Sequence, residues 1–220
     1  MNQLIVPFLG RVAYGSTPQQ VIDALAAVSY VGVREVSWAA FPYRPSVCFR
    51  IAHTVDSIVL EFQVKEQHMN AVYRQVNDPV YKDSCVEFFL SFDGHHYYNL
   101  EFNCIGVGLI GYGGRNKNSR YNLAPTTVEQ VRTHAVAMPA AVPGGDQEWR
   151  LLLNIPFTVF EQERIVSLSG MRCTGNFYKC GDDLPVPHFV SWTRIAAPDP
   201  DFHLPEFFGE LLFESNKLGI

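Results

Sequence analysis

The sequence predicts an all-β protein, an antiparallel β-sandwich of the jelly-roll or immunoglobulin-like type with one short N-terminal helix. Three observations support this fold class. Many segments alternate apolar and polar residues with period two, turn residues separate them at short intervals, and one segment carries helix signals. A chain of 220 residues suits a single all-β domain. We therefore predict one domain over 1–220, with 1–32 as an appendage that contains the helix and 33–214 as the sandwich.

The predicted elements follow from local signals. Thr17 is a helix-capping residue, Pro18 suits the first helical position and Gln20 completes a capping box, which predicts a helix over PQQVIDALAAV. Alternation between turn signals predicts the strands 33–38, 47–53, 58–65, two within the hairpin 80–111, 128–138, 148–155, 165–176 and 207–214. Gly-, Asn-, Pro- and Asp-rich segments predict loops at 111–122, 180–187 and 196–205, and 156–160 is a short helical turn.

The hairpin 80–111 has one apolar face and one unusually polar face. Successive side chains of a strand point to opposite faces. One face thus takes Val86, Phe88, Leu90, Leu100, Phe102 and Cys104, and the other takes Cys85, Glu87, Phe89, Glu101 and Asn103. If Phe92 pairs with Tyr98 across a loop over 93–97, Glu87 lies opposite Asn103 and Phe89 opposite Glu101. The two faces also separate Cys85 from Cys104, which argues against a bridge between them.

Composition excludes several classes of function. The net charge of -5, with no basic cluster, argues against nucleic acid as a partner. No apolar run is long enough to span a membrane. The N-terminus has no signal-peptide pattern, so the protein is cytoplasmic if the sequence is complete, unless a leader has been removed. Five cysteines, an odd number, are typical of a reducing compartment, although Cys173 and Cys180 could pair.

The polar face of the hairpin is the candidate site. Carboxylates accept hydrogen bonds from sugar hydroxyls, and an amide both donates and accepts, so Glu87, Glu101 and Asn103 would suit the floor of a carbohydrate site. Rings that could stack on a sugar are plentiful around it: Tyr81, Tyr97, Tyr98, Tyr112, Trp38 and Trp192. The alternative is a solvated face of an edge hairpin, where charged side chains are common.

Catalysis by the two carboxylates is a second hypothesis. Glu87 and Glu101 would be diagonal neighbours, about 7–8 Å apart at Cα. A glycoside hydrolase acting on xylan-type chains needs two carboxyl groups that flank the scissile bond. A shallow sheet face offers no obvious way to do so.

Metal and redox sites have weaker signals. No HExxH motif or zinc spacing is present. Calcium suits the oxygen-rich loops better, with candidate ligands Asp78, Asp83, Asp93, Asp182 and Asp183. Met69, Met138 and Met171 form no recognisable pairing with histidine for a haem-carrying sandwich, which is a third hypothesis. No other cofactor is predicted.

Four segments together resemble carbohydrate-binding module family 9 and its stand-alone bacterial relatives. They are VYKDSCVEFFL, YYNLEFNCIG, EWRLLLNIPF and PHFVSWTRIAAPDPDFHLPEFFGELLFE. The resemblance implies a non-catalytic β-sandwich that holds xylan- or cellulose-derived oligosaccharides between two aromatic rings, with calcium bracing its loops. It assigns the first ring to Tyr81, the second to Trp192, and the polar contacts to Glu87, Glu101 and Asn103. Tyr81 stands where binding members have Trp, and Glu101 where a basic residue is expected.

Overall fold

The computed structural model describes residues 2–138 and 145–216, which form a sandwich of two β-sheets. The predicted fold class, an antiparallel all-β sandwich with a short N-terminal helix, is confirmed. The strands in chain order are β1 (Gln3–Val6), β2 (Val31–Gly32), β3 (Glu35–Val36), β4 (Ser46–His53), β5 (Ser57–Glu66), β6 (Cys85–Ser91), β7 (His96–Asn103), β8 (Gly108–Gly114), β9 (Tyr121–Asn122), β10 (Arg132–Met138), β11 (Gln147–Pro156), β12 (Arg172–Cys180), β13 (Phe189–Ser191) and β14 (Gly209–Phe213).

The larger sheet has nine strands and the smaller has five. The larger runs in the order β1-β14-β12-β6-β7-β8-β9, with β13 paired to β12 and β3 paired to β13. The smaller runs in the order β10-β11-β5-β4-β2. The named strands pair in antiparallel fashion, except that β1 pairs in parallel with β14. Strand β1, which is residues 3–6 of the predicted appendage, lies at the edge of the larger sheet.

Two α-helices and four 3₁₀ turns complete the described elements. The helices are α1 (Pro18–Leu25) and α2 (Pro125–Val128), and the turns are Val80–Lys82, Lys117–Ser119, Phe157–Val159 and Pro205–Phe207. Helix α1 begins with the predicted capping box, in which Gln20 N donates to Thr17 Oγ1 and Thr17 N donates to Gln20 Oε1. None of the helices in 2–138 and 145–216 combines the length and apolar character needed to cross a bilayer.

The main core lies between the two sheets, and a buried ion pair crosses it. Phe177 of β12 stacks between Phe49 and Phe88, with ring centroids 3.7 and 4.8 Å away. Two residues further along the same strand, Lys179 Nζ lies 2.9 Å from Glu66 Oε2 of β5, and both side chains are fully buried. This contact joins the two sheets across the core.

Lys179 and its neighbours form a buried polar network. Lys179 Nζ also donates to Cys180 O at 2.7 Å and lies 2.9 Å from His188 Nε2. Trp149 Nε1 donates to Glu66 Oε1 at 2.7 Å. Burial and the adjacent Lys179 lower the pKa of His188 to about 3, so the neutral imidazole can accept from the lysine.

Several segments differ from their predicted structure. Residues 108–114 and 121–122, predicted largely as loop, form β8 and β9. Gly111 leaves room for its neighbour on β7, because a Cβ there would lie 2.6 Å from Asn99 Oδ1. The strand predicted over 165–176 begins only at Arg172, after the left-handed residues Arg164 and Gly170. Residues 33–38 form β3 alone, and α2 occupies 125–128, where a strand was predicted to start.

The register of the hairpin also differs from the prediction, but its faces do not. Glu87 lies opposite Glu101, and Leu90 lies opposite Tyr98. The cause is a shorter loop, 92–95, in which Asp93 Oδ1 accepts from His95 N and His96 N at 2.7 Å. A shift by two residues preserves the alternation, so the polar residues stay on one face. All five cysteines are unpaired thiols.

Candidate functional site

A cleft of about 480 Å³ opens on the outer face of the larger sheet. Its lining comes from strands β6, β7, β8, β9, β12 and β13, from the turn before β6, and from the segments that follow β8, β12 and β13. The lining residues are Tyr81, Glu87, Asn99, Glu101, Leu109, Gly111, Lys117, Arg120, Tyr121, Asn122, Cys180, Asp182, Phe189, Pro200, Asp201, Phe202 and His203.

The cleft exists because loops cover this sheet face with a second apolar cluster. Phe89, Tyr97 and Tyr178 point outward from the sheet, and Trp38 and Phe202 pack over them from loops. Phe202 stacks on Tyr178 with ring centroids 4.2 Å apart. The covered part of the sheet is therefore dry, and the cleft is the part that the loops leave open.

The floor of the cleft is formed by two carboxyl groups. Glu87 is 3% exposed and Glu101 is 5% exposed, although both line the cleft. Cys180 Sγ donates to Glu87 Oε1 at 3.0 Å, and Asn99 Nδ2 donates to Glu101 Oε1 at 2.8 Å. Within residues 2–138 and 145–216, the Oε2 atoms of both glutamates have no hydrogen-bond partner. Each carboxyl thus keeps one oxygen for a ligand.

Burial dominates the electrostatics of this floor. It raises the pKa of Glu87 well above the usual range, and the nearby acidic groups Cys180 and Glu101 add to the effect. It raises the pKa of Glu101 to about 7, although Asn99 and Arg120 oppose the increase. Burial also raises the pKa of Asp182 at the wall to about 6. These carboxyl groups are therefore less ionised at neutral pH than surface acids.

Arg120 fixes one wall of the cleft. Its guanidinium lies over the ring of Tyr97, with Cζ 3.8 Å from the ring centroid, and donates to the carbonyl of Gly113 at 2.6 Å and to Asn99 Oδ1. Gly113 has a φ of 150°, and a Cβ there would lie 2.9 Å from Arg120 Cα. A glycine is therefore required at this close approach.

Further polar groups on the walls are paired with each other. Lys117 Nζ lies 2.9 Å from Asp201 Oδ2, and Tyr97 Oη lies 3.0 Å from His203 Nδ1. Burial, with Arg120 and Lys117 nearby, lowers the pKa of His203 to about 4. His203 is therefore a neutral hydrogen-bonding group at physiological pH.

Three of the five predicted site residues meet in the cleft, namely Tyr81, Glu87 and Glu101. Tyr81 is held there by the loop after β12, because Asp182 N donates to its carbonyl at 3.3 Å. Asn103 does not line the cleft. Its carboxamide is fully buried and donates to Tyr73 O at 2.9 Å and to Asp83 Oδ2 at 3.0 Å.

Trp192 lies in the core between the sheets and not opposite Tyr81. It makes edge contacts with Phe49 and Phe177, at ring centroid distances of 6.5 and 5.7 Å. Gly209 leaves the space that the indole fills, since a Cβ there would lie 2.5 Å from Trp192 Cζ3. The exposed ring that shares the cleft with Tyr81 is instead Tyr121, which is 48% exposed.

The five aspartates predicted as calcium ligands do not assemble a calcium site. Asp78 and Asp93 accept backbone N–H groups of their own loops, and Asp83 accepts from Val72 N and Tyr73 N. Asp183 pairs with a surface lysine, and Asp182 lines the cleft. Among the described residues, one group of three or more Cys, His, Asp or Glu side chains has ligand atoms within 4.8 Å of one another, namely Cys85, Glu87 and Cys180. Thiols are poor ligands for calcium.

The carboxylate of Asp83 braces the segment at Val72 and Tyr73 against β7 by accepting three hydrogen bonds, and a substitution tests this bracing role. We expect Asp83→Asn to lower the free energy of unfolding by about 1.5–3 kcal/mol, because three hydrogen bonds to one buried carboxylate are weakened. Urea denaturation measures the loss. Asp183→Asn is the control, since its ion pair with Lys82 is exposed to solvent and contributes little. Equal losses in the two variants, or a lower melting temperature of the wild type after chelation of calcium, would contradict the bracing role.

Comparisons with known proteins agree on one family. Residues 18–213 match the family described as Carbohydrate-binding family 9. A Bacteroides uniformis protein thought to bind carbohydrate is 38% identical over 96% of this chain and 99% of its own, with a TM-score of 0.88. Two structures of a family 9 carbohydrate-binding module from Caldicellulosiruptor kristjanssonii share the fold. The glucose complex is 16% identical over 100% of this chain and 99% of its own, with a TM-score of 0.59. The cellotriose complex is 14% identical over 98% and 95%, with a TM-score of 0.60. No curated protein matches the chain significantly.

Proposed function

Because this chain belongs to carbohydrate-binding family 9, we propose that it binds carbohydrate in the cleft on the larger sheet without transforming it. The observation that carries the proposal is the pairing of Glu87 and Glu101 on the cleft floor, each with an oxygen free for a ligand. The volume of about 480 Å³ lies in the range typical of small-molecule sites.

Aromatic rings at the cleft supply the apolar contacts that a sugar needs. Tyr81 and Tyr121 carry the partly exposed tyrosine rings of the lining. The C–H face of a pyranose can pack on such a ring while its hydroxyls reach the polar groups below. We propose that Tyr81 keeps the stacking role that the family resemblance assigns to it, and that Tyr121 takes the role expected of Trp192.

A structural relative supports a first choice of ligands, together with the family resemblance. Related modules are seen with glucose and with cellotriose. We therefore propose β-1,4-linked gluco- or xylo-oligosaccharides of plant-polysaccharide type as the first ligands to examine.

Calorimetry with cello- and xylo-oligosaccharides tests the proposal. We expect Tyr81→Ala to weaken binding by about 1–3 kcal/mol, roughly 5- to 160-fold, because a stacking ring is lost. Tyr30→Ala is the matched control, an exposed tyrosine beside the smaller sheet that should leave the affinity unchanged. Absence of heat with every oligosaccharide, or equal affinities in the two variants, would count against the proposal.

The hydrolase hypothesis fits the cleft less well. Glu87 and Glu101 are directly opposite in neighbouring strands, not diagonal, and both approach a ligand from below. Glycoside hydrolases place their two carboxyl groups on either side of the scissile bond. Release of reducing sugar from xylan that disappears in Glu87→Gln would reverse this preference.

A further inference from the structure

The cleft holds more acidic than basic side chains. Its lining includes four carboxyl groups, on Glu87, Glu101, Asp182 and Asp201, and two permanent cations, on Lys117 and Arg120. Lys117 is taken by its ion pair with Asp201. Arg120 is the cation that acts on Glu101. Two carboxyl groups, those of Glu87 and Asp182, remain without a cation of their own.

The nearest other lysines, Lys82 and Lys179, act on Asp182 only from a distance, because each pairs with another carboxylate. Lys82 forms its ion pair with Asp183, at 3.2 Å, and not with the adjacent Asp182. Lys179 points to the opposite face of β12, where it pairs with Glu66. Within 2–138 and 145–216, neither Glu87 nor Asp182 forms an ion pair.

The unpartnered oxygens point to where a cation would bind. Glu87 is more than nine-tenths buried, yet it lines the cleft and its Oε2 has no hydrogen-bond partner among the described residues. Glu101 directly opposite has the same arrangement. These two oxygens face the cleft without a donor from the described residues, so each can accept a hydrogen bond from a ligand.

We propose that the cleft binds amino sugars, carbohydrates that carry a protonated amine, in preference to the corresponding neutral sugars. The proposal rests on the proposed function, since it names the ligand class of the same cleft. An ammonium group has three N–H donors and one positive charge, which match the free oxygens of Glu87 and Glu101 and the acidic Asp182 wall. Hydrogen bonds between charged groups are roughly twice as strong as neutral ones. Uronic acids, by contrast, would bring a further negative charge to this floor.

Three β-1,4-linked oligosaccharides of equal length form a matched set for the test, because they differ only at C2. Cello-oligosaccharides carry a hydroxyl there, chitosan oligosaccharides an ammonium, and chitin oligosaccharides an uncharged acetamide. In calorimetry near neutral pH, where Glu101 and Asp182 are partly ionised because their pKa values are about 7 and about 6, we expect chitosan oligosaccharides to bind at least about tenfold more tightly than cello-oligosaccharides, since an ammonium beside these carboxyl groups favours their charged form. The advantage should shrink as salt is added.

Substitutions in the floor and the wall of the cleft test whether these residues cause the preference for the amino sugar. Glu87→Gln and Asp182→Asn should each reduce the advantage of the chitosan oligosaccharide while affecting cello-oligosaccharides less. Glu148→Gln, an exposed acid on the smaller sheet, is the charge-matched control and should leave the advantage intact.

The outcomes separate this inference from the proposed function. Equal affinity for cello- and chitosan oligosaccharides would overturn the preference and leave carbohydrate binding standing. A chitosan advantage that persists in both the floor variant and the wall variant would also overturn it. The tighter binding would then come from the overall negative charge of the protein and not from the cleft. Absence of binding to any carbohydrate would overturn the proposed function itself.

Discussion

Replacing Lys179 with methionine is expected to lower the free energy of unfolding by about 3–5 kcal/mol. The substitution leaves the carboxylate of Glu66 in the core without its ion-pair partner, which is fully buried at 2.9 Å in the wild type. An uncompensated charge inside a protein costs several kcal/mol even after the surroundings relax. Chemical denaturation monitored by tryptophan fluorescence measures the loss, because Trp149 donates to the same carboxylate.

A second substitution distinguishes charge from packing. In the double variant Lys179→Met with Glu66→Gln, this position in the core carries no charge. The glutamine oxygen can still accept a hydrogen bond from Trp149 Nε1. We expect the double variant to recover much of the lost stability. If it is as unstable as the single variant, the loss comes from packing in the core and not from the unpaired carboxylate.

Replacing Glu101 with glutamine is expected to flatten the decrease in stability between about pH 5 and about pH 8. The folded protein holds the pKa of Glu101 at about 7, above its ordinary value of 4.5. Below 4.5 the group is protonated in both the folded and unfolded states and has no effect. As pH rises through this window, the unfolded chain releases the proton more readily, so stability falls. One pH unit corresponds to about 1.4 kcal/mol, which gives a cost on the order of 3 kcal/mol above pH 7.

Measurement without ligand isolates this carboxyl. The pKa values of Glu87 and Asp182 are also raised, so they add to the same slope, whereas those of His188 and His203 are lowered and act in the opposite direction as pH falls below about 6.5. Because these groups remain in the variant, the difference between the two profiles reports Glu101 together with its contribution to the raised pKa of Glu87. Glu148→Gln should run parallel to the wild type, since its side chain is exposed. Parallel profiles for Glu101→Gln and the wild type would refute the raised pKa.

The floor of the cleft could be predicted from the sequence because it depends only on which residues alternate onto the same face of the hairpin. Period-two alternation puts Glu87 and Glu101 on one face, and the error of two residues in the register left that result unchanged. The same alternation places Asn99, two residues before Glu101, on this face, so it could also have been predicted as a residue of the floor. The polar face turned out to be buried under loops and not solvated, which no local pattern indicates.

The walls could not be predicted because they depend on contacts between distant segments. Arg120 comes from a Gly- and Asn-rich segment that reads as a loop, and only its contacts with Gly113 and Asn99 bring it to the cleft. The family resemblance assigned Trp192 to the binding site, but its ring fills the space beside Gly209 in the core. Asn103 has the parity of the floor but lies at the end of β7, where Asp83 and Tyr73 engage it.

Strand β12 constrains how this fold can diversify. One of its faces carries Phe177 and Lys179 into the core, and the other carries Tyr178 and Cys180 to the cleft side. A change of side chain on its cleft face, such as at Cys180, therefore disturbs a strand that is already packed on both sides. Wall residues lie outside this strand, such as Tyr121 on the short strand β9 and Asp182 and Asp201 on loops. Within a lineage of such proteins, new ligand preferences should thus arise through substitutions in the walls, while the floor retains its acidic pair.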